Sequence, residues 1–363
     1  MQKSISEMAI IIKNLIPLDA LDGYEINPAF RKVADDREIK NGVYCFKEFM
    51  TQMYDRLVTD GNLYEKSLKQ PKETAGHDNV VSLSAISPFI NHVTSILINI
   101  GNYGNLIDSN TAMVLGDRSV LAVVVGPQGG TTKQRISGSK MVEVMKFLAS
   151  CGLHFDGIDL TGKKPDLSNS DLLRIQYPDK PDMLVGLKVM AIAHNEMSSS
   201  NDYYVFQRCD YRVLRSEAPD ITEHLHIYIR TLPDQARRFI LRLHQHYLDD
   251  GLVCKMKMHY FGVIFSYNYK SKVVWEFIPT PDGCYITTKA NHLSNYVDEV
   301  KTFHTVLQEK ISMGYGCEKK RFGKPCQKGC HGFSFLLNDS ISDIEYDIER
   351  WFDKELSCLR YRN

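Results

Sequence analysis

Apolar residues recur at helical spacing through most of the first 65 positions. Ile5, Met8, Ile11, Ile12 and Leu15 fall on one face. Ser4 followed by Glu7 predicts a capping box at the start of that helix. Asn27-Pro28 reads as an N-cap with proline at the first helical position. Val43, Phe46, Met50, Met53 and Leu57 continue the pattern, and Gly61 predicts its stop. Residues 66–80 are polar, carry Pro71 and Gly76, and form the best linker candidate.

After the linker one pattern appears three times. A helix is expected to end at a glycine, and strand-like residues follow. The first unit begins at Ser87-Pro88, ends its helix at Gly101 and continues through TAMVL and RSVLAVVV, joined by a hairpin signal at Gly116-Asp117. The second is residues 139–152, ending at Gly152, followed by LHFDGIDL and LLRIQYPDKPDMLVGLKVM. The third is residues 233–251, ending at Gly251, followed by LVCKMKMHYFGVIFSYNYKSKVVWEFI. There Cys254, Met256 and Met258 alternate with Lys255 and Lys257, the period of a half-buried strand.

The units suggest an internal repeat of helix plus meander without a fixed period. MSSSND, residues 197–202, is expected to be a hairpin loop, with DYYVFQRCDYRVL as another strand after it. Beyond Leu293 the pattern turns helical again. Ile341, Ile344, Ile348, Trp351 and Leu356 then mark a C-terminal amphipathic helix, with Ser342 and Glu345 as its expected capping box. The predicted fold class is α+β: a helical N-terminal segment, then antiparallel sheets flanked by helices. The expected divisions are 1–80, 81–222 and 223–363.

Composition changes this picture little. The chain has 363 residues, 43% hydrophobic and 24% charged, with 44 basic and 44 acidic side chains. That neutrality argues against general nucleic-acid binding and against an acidic solvating tail. No stretch reaches the ~18 apolar residues of a membrane span, and the N-terminal apolar run is interrupted by Lys13. The expectation is a cytoplasmic protein without a membrane partner. Nine cysteines spread over the chain argue against a disulfide framework, and Cys45, Cys151 and Cys254 read as small buried hydrophobes.

Charge is nevertheless uneven. GYGCEKKRFGKPCQKGCHGF, residues 314–333, holds three cysteines, one histidine and five glycines. Between 317 and 330 its net charge is +4, whereas residues 338–356 sum to −5. Two chemistries compete for the loop. In one, Cys317, Cys326, Cys330 and His331 hold zinc, although C-x8-C-x3-C-H is not the paired spacing of a zinc ribbon. In the other, Lys319, Lys320, Arg321, Lys324 and Lys328 bind a small anionic ligand or nucleotide, with Tyr315 and Phe322 available for stacking. A third reading is a solvated glycine-rich loop neutralised by the acidic segment that follows.

Other candidates are incomplete. GPQGGTTKQRISGSK, residues 126–140, follows an apolar run and precedes a helix, but Thr131 stands where a Walker loop needs glycine. His244 and His246 lie two apart in a helical pattern and cannot share an ion. His224 and His226 share a face only if their stretch is a strand. Both pairs read as surface histidines. No nucleophile elbow, dinucleotide fingerprint or H-E-x-x-H helix is present. The favoured function is a non-catalytic binding or regulatory protein. The alternatives are an enzyme with a pocket between sheet and helices, and a zinc-stabilised interaction module.

The stretch GYGCEKKRFGKPCQKGCHGFSF with the acidic Trp351 helix, and ISGSKMVEVMKFLASCGLHFDGIDL, resemble proteins of Clostridia and related Firmicutes that have no assigned function. The resemblance spans the chain from about residue 81. It implies a bacterial cytosolic origin and no activity, and no functional residue is carried over from it.

Overall fold

The structure, a computed structural model, describes residues 4–18, 23–64, 88–116, 138–166, 172–196, 202–217, 220–259, 262–280, 283–313 and 333–361. The chain divides into two compact units, Met1–Pro219 and Asp220–Asn363. The linker candidate 66–80, the RSVLAVVV segment and most of the glycine-rich 126–140 stretch lie outside the described residues.

The first unit opens with α1, Ile5–Asn14. The Ser4 hydroxyl accepts from the Glu7 N–H at 3.1 Å and the Ser4 N–H donates to the Glu7 carboxylate, so the capping box is formed. The buried side chains Ile5, Met8, Ala9 and Ile12 make the apolar face. Asn27 caps only a short 3-10 turn, Pro28–Lys32. The long helix α2, Asp36–Asp60, starts from a second capping box, Asp35 with Glu38. It presents Val43, Phe46, Met50, Met53 and Leu57 to the core.

Helix α3, Pro88–Tyr103, continues past Gly101, so that glycine is not a stop. Next come β1, Asn105–Ile107; β2, Ala112–Leu115; α4, Gly138–Ser150; β3, His154–Asp156; and β4, Leu173–Gln176. They form an antiparallel sheet in the order β1-β2-β4-β3. Gly152, at φ +100°, does end α4: the Gly152 and Leu153 N–H groups close back on Ala149 and Leu148.

The end of the LLRIQYPDKPDMLVGLKVM segment corrects a strand expectation. Residues 183–196 are α5, Met183–Glu196. Leu184, Val185, Leu187, Val189, Met190 and Ala191 are all buried, because a helix that is apolar all round has to be enclosed. Such a run carries no period that separates strand from helix.

Glycine permits that enclosure. A Cβ at Gly186 would stand 2.1 Å from the Gly42 carbonyl oxygen, so α2 and α5 cross with their backbones nearly touching. A Cβ at Gly101 would lie 2.5 Å from Ala191 Cβ and 2.7 Å from the Leu187 oxygen, which explains a glycine inside α3. Lys188 of α5 reaches the end of α3 and donates to the carbonyls of Asn102 (3.1 Å) and Gly104 (2.7 Å).

The DYYVFQRCDYRVL stretch is also not a strand. It forms α6, Asp202–Gln207, then a left-handed Cys209 at φ +50° and a 3-10 turn, Tyr211–Leu214. Residues 197–201 of the MSSSND stretch lie outside the described residues; the elements on either side, α5 and α6, are helices. Asp210 lies 2.9 Å from Arg212 and 3.6 Å from Arg208, all three buried.

The second unit begins with α7, Ile221–Ile229, and α8, Asp234–Asp249. Gly251, at φ +83°, ends α8, and the Gly251 and Leu252 N–H groups bond Leu248 and Tyr247. The meander follows: β5, Val253–His259; β6, Gly262–Tyr269; β7, Lys272–Thr280; β8, Gly283–Thr288. Cys254 is buried beside the exposed Lys255, as alternation predicts. After β8 the chain forms α9, Val297–Val300, and α10, Thr305–Met313, then returns as β9, Phe333–Leu336. All five strands are antiparallel, in the order β5-β6-β7-β8-β9.

A 3-10 turn, Asp339–Asp343, and α11, Glu345–Tyr361, complete the unit. Ser342 does not cap α11. Its hydroxyl bonds the Asp339 carbonyl and the Asp343 carboxylate, because the 3-10 turn displaces the helix start to Glu345.

One face of this sheet carries the core. Tyr267 stacks on Trp275 at 3.7 Å and 6° between planes. Phe352 of α11 and Tyr247 of α8 each approach Trp275 at 5.8 Å. Trp351 meets Phe333 at 4.9 Å and Phe335 at 5.9 Å. Helices collected on one face of an antiparallel sheet define the α+β class. Among the described residues no helix is long and apolar enough to cross a membrane.

Candidate functional site

Cys317, Cys326, Cys330, His331 and the cations Lys319, Lys320, Arg321, Lys324 and Lys328 lie outside the described residues. The two anchors of their loop do not. The chain leaves α10 at Met313 and re-enters the sheet at Phe333, the first residue of the edge strand β9.

At this base stands Lys310. Leu307 and Ile311 of α10 are buried, and Lys310 falls beside them on the same stripe. Its ammonium sits 4.7 Å from the centre of the Phe335 ring. Among the described residues it makes no hydrogen bond and no ion pair. Burial pushes its pKa below that of an ordinary lysine, while the ring face favours the charged form. A cation interrupting the apolar stripe of KTFHTVLQEKI was the signal in the sequence for this residue.

The acidic segment that follows the loop is largely occupied within its own unit. Glu345 and Glu349 face Arg242 of α8 at 3.7 and 3.3 Å. Asp347 pairs with Arg350 at 2.9 Å and accepts the His304 N–H at 2.6 Å. Asp353 accepts the Tyr247 hydroxyl at 2.9 Å and lies 3.5 Å from His246. Asp339 and Asp343 have no cation within ion-pair distance among the described residues.

Glu355 is the remaining carboxylate and is buried at 3% exposure. The His292 backbone N–H donates to its two oxygens at 3.0 and 3.3 Å, and His292 Nδ1 lies 3.1 Å from Oε2. The Tyr296 hydroxyl donates to Oε1 and accepts from Trp351 Nε1 at 2.8 Å. Burial, then the Glu355 charge, push the Tyr296 pKa upward, so the hydroxyl keeps its proton for Glu355.

This network ties α11 to the turn after β8. The contact between Nδ1 and the Glu355 carboxylate fixes the orientation of the His292 ring. No hydroxyl or thiol among the described residues bonds Nε2. The nearby Cys358 thiol accepts instead from Asn295 at 3.8 Å. Among the described residues no nucleophile–base pair is assembled here, and the hydrogen bonds hold the helix to the turn as a clamp. Its trace in the sequence is the gap of five from Trp351 to Leu356, where the apolar spacing reaches Glu355.

His244 and His246 lie on helix α8 as expected, and His226 is exposed, but one histidine of each pair is not at the surface. Residues 221–229 are helical, so His224 and His226 do not share a strand face, and His224 is buried. His244 is also buried, not a surface residue. Its Nδ1 lies 2.6 Å from the Tyr267 hydroxyl and its Nε2 3.2 Å from Thr222 Oγ1. Burial lowers its pKa, so the neutral ring is favoured.

Cys45, Cys151, Cys209, Cys254, Cys284 and Cys358 are free thiols. Burial raises the pKa of Cys254 to about 11 and of Cys284 to about 12; Cys151, also at about 11, is only partly buried. Among the described residues no group of three or more His, Cys, Asp or Glu is placed to hold a metal. No family model, curated protein or solved structure matches the chain.

Proposed function

We propose that the protein is a non-catalytic binding or regulatory protein that takes a small anionic ligand at the basic loop 314–333. The observation that carries this reading is the occupancy of the acidic segment. Five of its seven carboxylates, Glu345, Asp347, Glu349, Asp353 and Glu355, already have partners away from the loop. Within that segment Asp339 and Asp343 are the two without a cation at ion-pair distance among the described residues, against a net loop charge of +4. Clustered cations on a glycine-rich backbone suit phosphate-like oxygens. The proposed setting is the bacterial cytosol, on the resemblance of the sequence.

The test is titration of the full chain with ATP at several salt concentrations. Binding is expected to weaken as salt rises, and by about tenfold or more when Lys319, Lys320 and Arg321 become alanine. Equal affinity in wild type and triple variant would remove the loop from the site.

Zinc is the second reading, favoured by the contrast between thiols. The high pKa values of Cys254 and Cys284 keep those groups protonated and poor as ligands. The loop thiols Cys317, Cys326 and Cys330 stand among lysines, which favours thiolates. Elemental analysis of the reduced, purified chain is expected to find about one zinc, bound through these three and His331, and lost on Cys326→Ser. A metal-free native preparation would overturn this reading.

A further inference from the structure

The core of the second unit holds three oxidisable rings in a row. Tyr267 of β6 and Trp275 of β7 are cross-strand partners, stacked at 3.7 Å with 6° between planes. Tyr247 of α8 meets the same indole at 5.8 Å. All three are fully buried. The Tyr247 hydroxyl donates to Asp353 at 2.9 Å, and that carboxylate is 46% exposed. The row therefore runs from a surface carboxylate to a buried end at Tyr267.

Both phenols of the row have a base as hydrogen-bond partner, which burial alone does not require. Tyr54 is equally buried and donates to the Gln207 carbonyl at 2.9 Å, an oxygen that does not hold a proton. Tyr267 instead has its hydroxyl 2.6 Å from His244 Nδ1. Burial lowers the His244 pKa and raises that of Tyr267, so the pair rests as neutral imidazole and intact phenol. The phenol is the stronger acid of the two and donates to Nδ1, while Thr222 Oγ1, 3.2 Å from Nε2, accepts the N–H that remains. Cys254 stands opposite Tyr267 in the β5–β6 register. Burial raises its pKa to about 11, so the readily oxidised thiolate is not formed beside the ring.

We infer that Tyr247, Trp275 and Tyr267 form a relay that carries a one-electron hole from the surface at Asp353 to Tyr267, where His244 takes the phenolic proton. The oxidant is a small inorganic radical, reduced by the one electron it takes from Tyr247, and the Tyr247 proton passes to Asp353. Trp275 and then Tyr267 supply an electron in turn, and Tyr247 recovers its electron and its proton. The net change breaks the Tyr267 O–H bond and forms an N–H bond on His244, leaving a phenoxyl radical beside an imidazolium. The hole comes to rest there because imidazole is ordinarily a stronger base than a carboxylate, with a pKa of about 6.5 against about 3.9. Burial narrows that difference, and the charge of Asp220 partly restores it. The activity assigned is radical scavenging, separate from any ligand at the basic loop.

Pulse radiolysis with azide radicals on the intact chain tests it, with optical detection of indolyl and phenoxyl radicals and electron paramagnetic resonance of frozen samples. In wild type the indolyl band is expected to decay as a long-lived phenoxyl grows, its resonance shifted by a hydrogen bond from histidine. Tyr267→Phe should lose that phenoxyl and leave the indolyl in its place. His244→Asn, which keeps an acceptor but not a base, should shorten the phenoxyl lifetime by about tenfold or more. Far-ultraviolet circular dichroism checks that each variant is folded. Should Tyr267→Phe fail to fold, Tyr247→Phe breaks the relay at its surface end and should slow phenoxyl growth. A phenoxyl unchanged in yield and spectrum in folded Tyr267→Phe, unchanged growth in Tyr247→Phe, or no long-lived phenoxyl in wild type overturns the inference.

Discussion

Gly186→Ala is expected to destabilise the first unit by about 3 kcal/mol or more, the upper end of overpacking penalties. The added methyl would be 2.1 Å from the Gly42 carbonyl oxygen and 2.4 Å from its carbon. Both are backbone atoms of α2, so no side chain can swing aside. Relief requires α2 and α5 to separate, which opens voids along Phe46, Phe49 and Leu187.

The contrast is Gly251→Ala, where nothing lies within 4 Å and only the left-handed φ of +83° opposes the methyl. That change should cost about 1 kcal/mol. Denaturant unfolding followed by far-ultraviolet circular dichroism measures both. Tryptophan fluorescence adds a second channel, because Trp275 and Trp351, the two tryptophans of the chain, both lie in the second unit. Gly186→Ala should move the dichroism transition further than the fluorescence transition. A dichroism midpoint equal to that of wild type would show that α2 and α5 do not cross this closely.

Glu355→Leu is the second large effect, expected to cost the second unit about 3–5 kcal/mol, as removal of one member of a buried charged network does. The leucine leaves the His292 N–H, His292 Nδ1 and the Tyr296 hydroxyl facing hydrocarbon. Glu355→Gln keeps one carbonyl acceptor but turns an amide N–H₂ toward donors, so it should cost about 1–2 kcal/mol. Tyr296→Phe removes one donor and should couple to Glu355→Leu: the double variant loses less than the sum of the singles. Fluorescence-detected unfolding reads these differences, with Trp351 itself bonded to Tyr296 at 2.8 Å. A Glu355→Leu protein within ~0.5 kcal/mol of wild type, the range of ordinary surface substitutions, would mean that the network is not closed.

The helical N-terminal segment and the β5–β7 meander were legible because their apolar residues keep one period over many positions. Cys254 and Lys255 sit on the faces that alternation assigns them. The failures came where a period is absent. Helix α5 is buried on every side, and a uniformly apolar run reads equally as strand or helix. Aromatic and β-branched residues in 203–214 suggested a strand, but the left-handed Cys209 breaks the extended chain. Gly101 resembles a stop because a glycine near a helix end usually serves that purpose. Its actual role, contact with Ala191 and Leu187, depends on a partner some ninety residues away. The strand β9 was missed because four residues after a glycine-rich stretch carry too short a pattern.

The candidate site divided along the same line. The charge and cysteine content of the loop can be counted from the sequence. Lys310 and Glu355 were visible only as polar residues on apolar stripes, and their partners come from β9 and from the turn after β8. Proximity of that kind is set by strand order, which no local pattern encodes.

The seating of the basic loop between α10 and the edge strand β9 bears on how such a protein diversifies. Nineteen residues separate Met313 from Phe333. Chain closure penalties grow slowly with length, by about 0.6 kcal/mol per doubling. The residues named above in the aromatic stack and in the clamp on Glu355 all lie outside those nineteen. A change of length or charge between 314 and 332 therefore alters closure by little and replaces none of the side chains named in that stack or clamp.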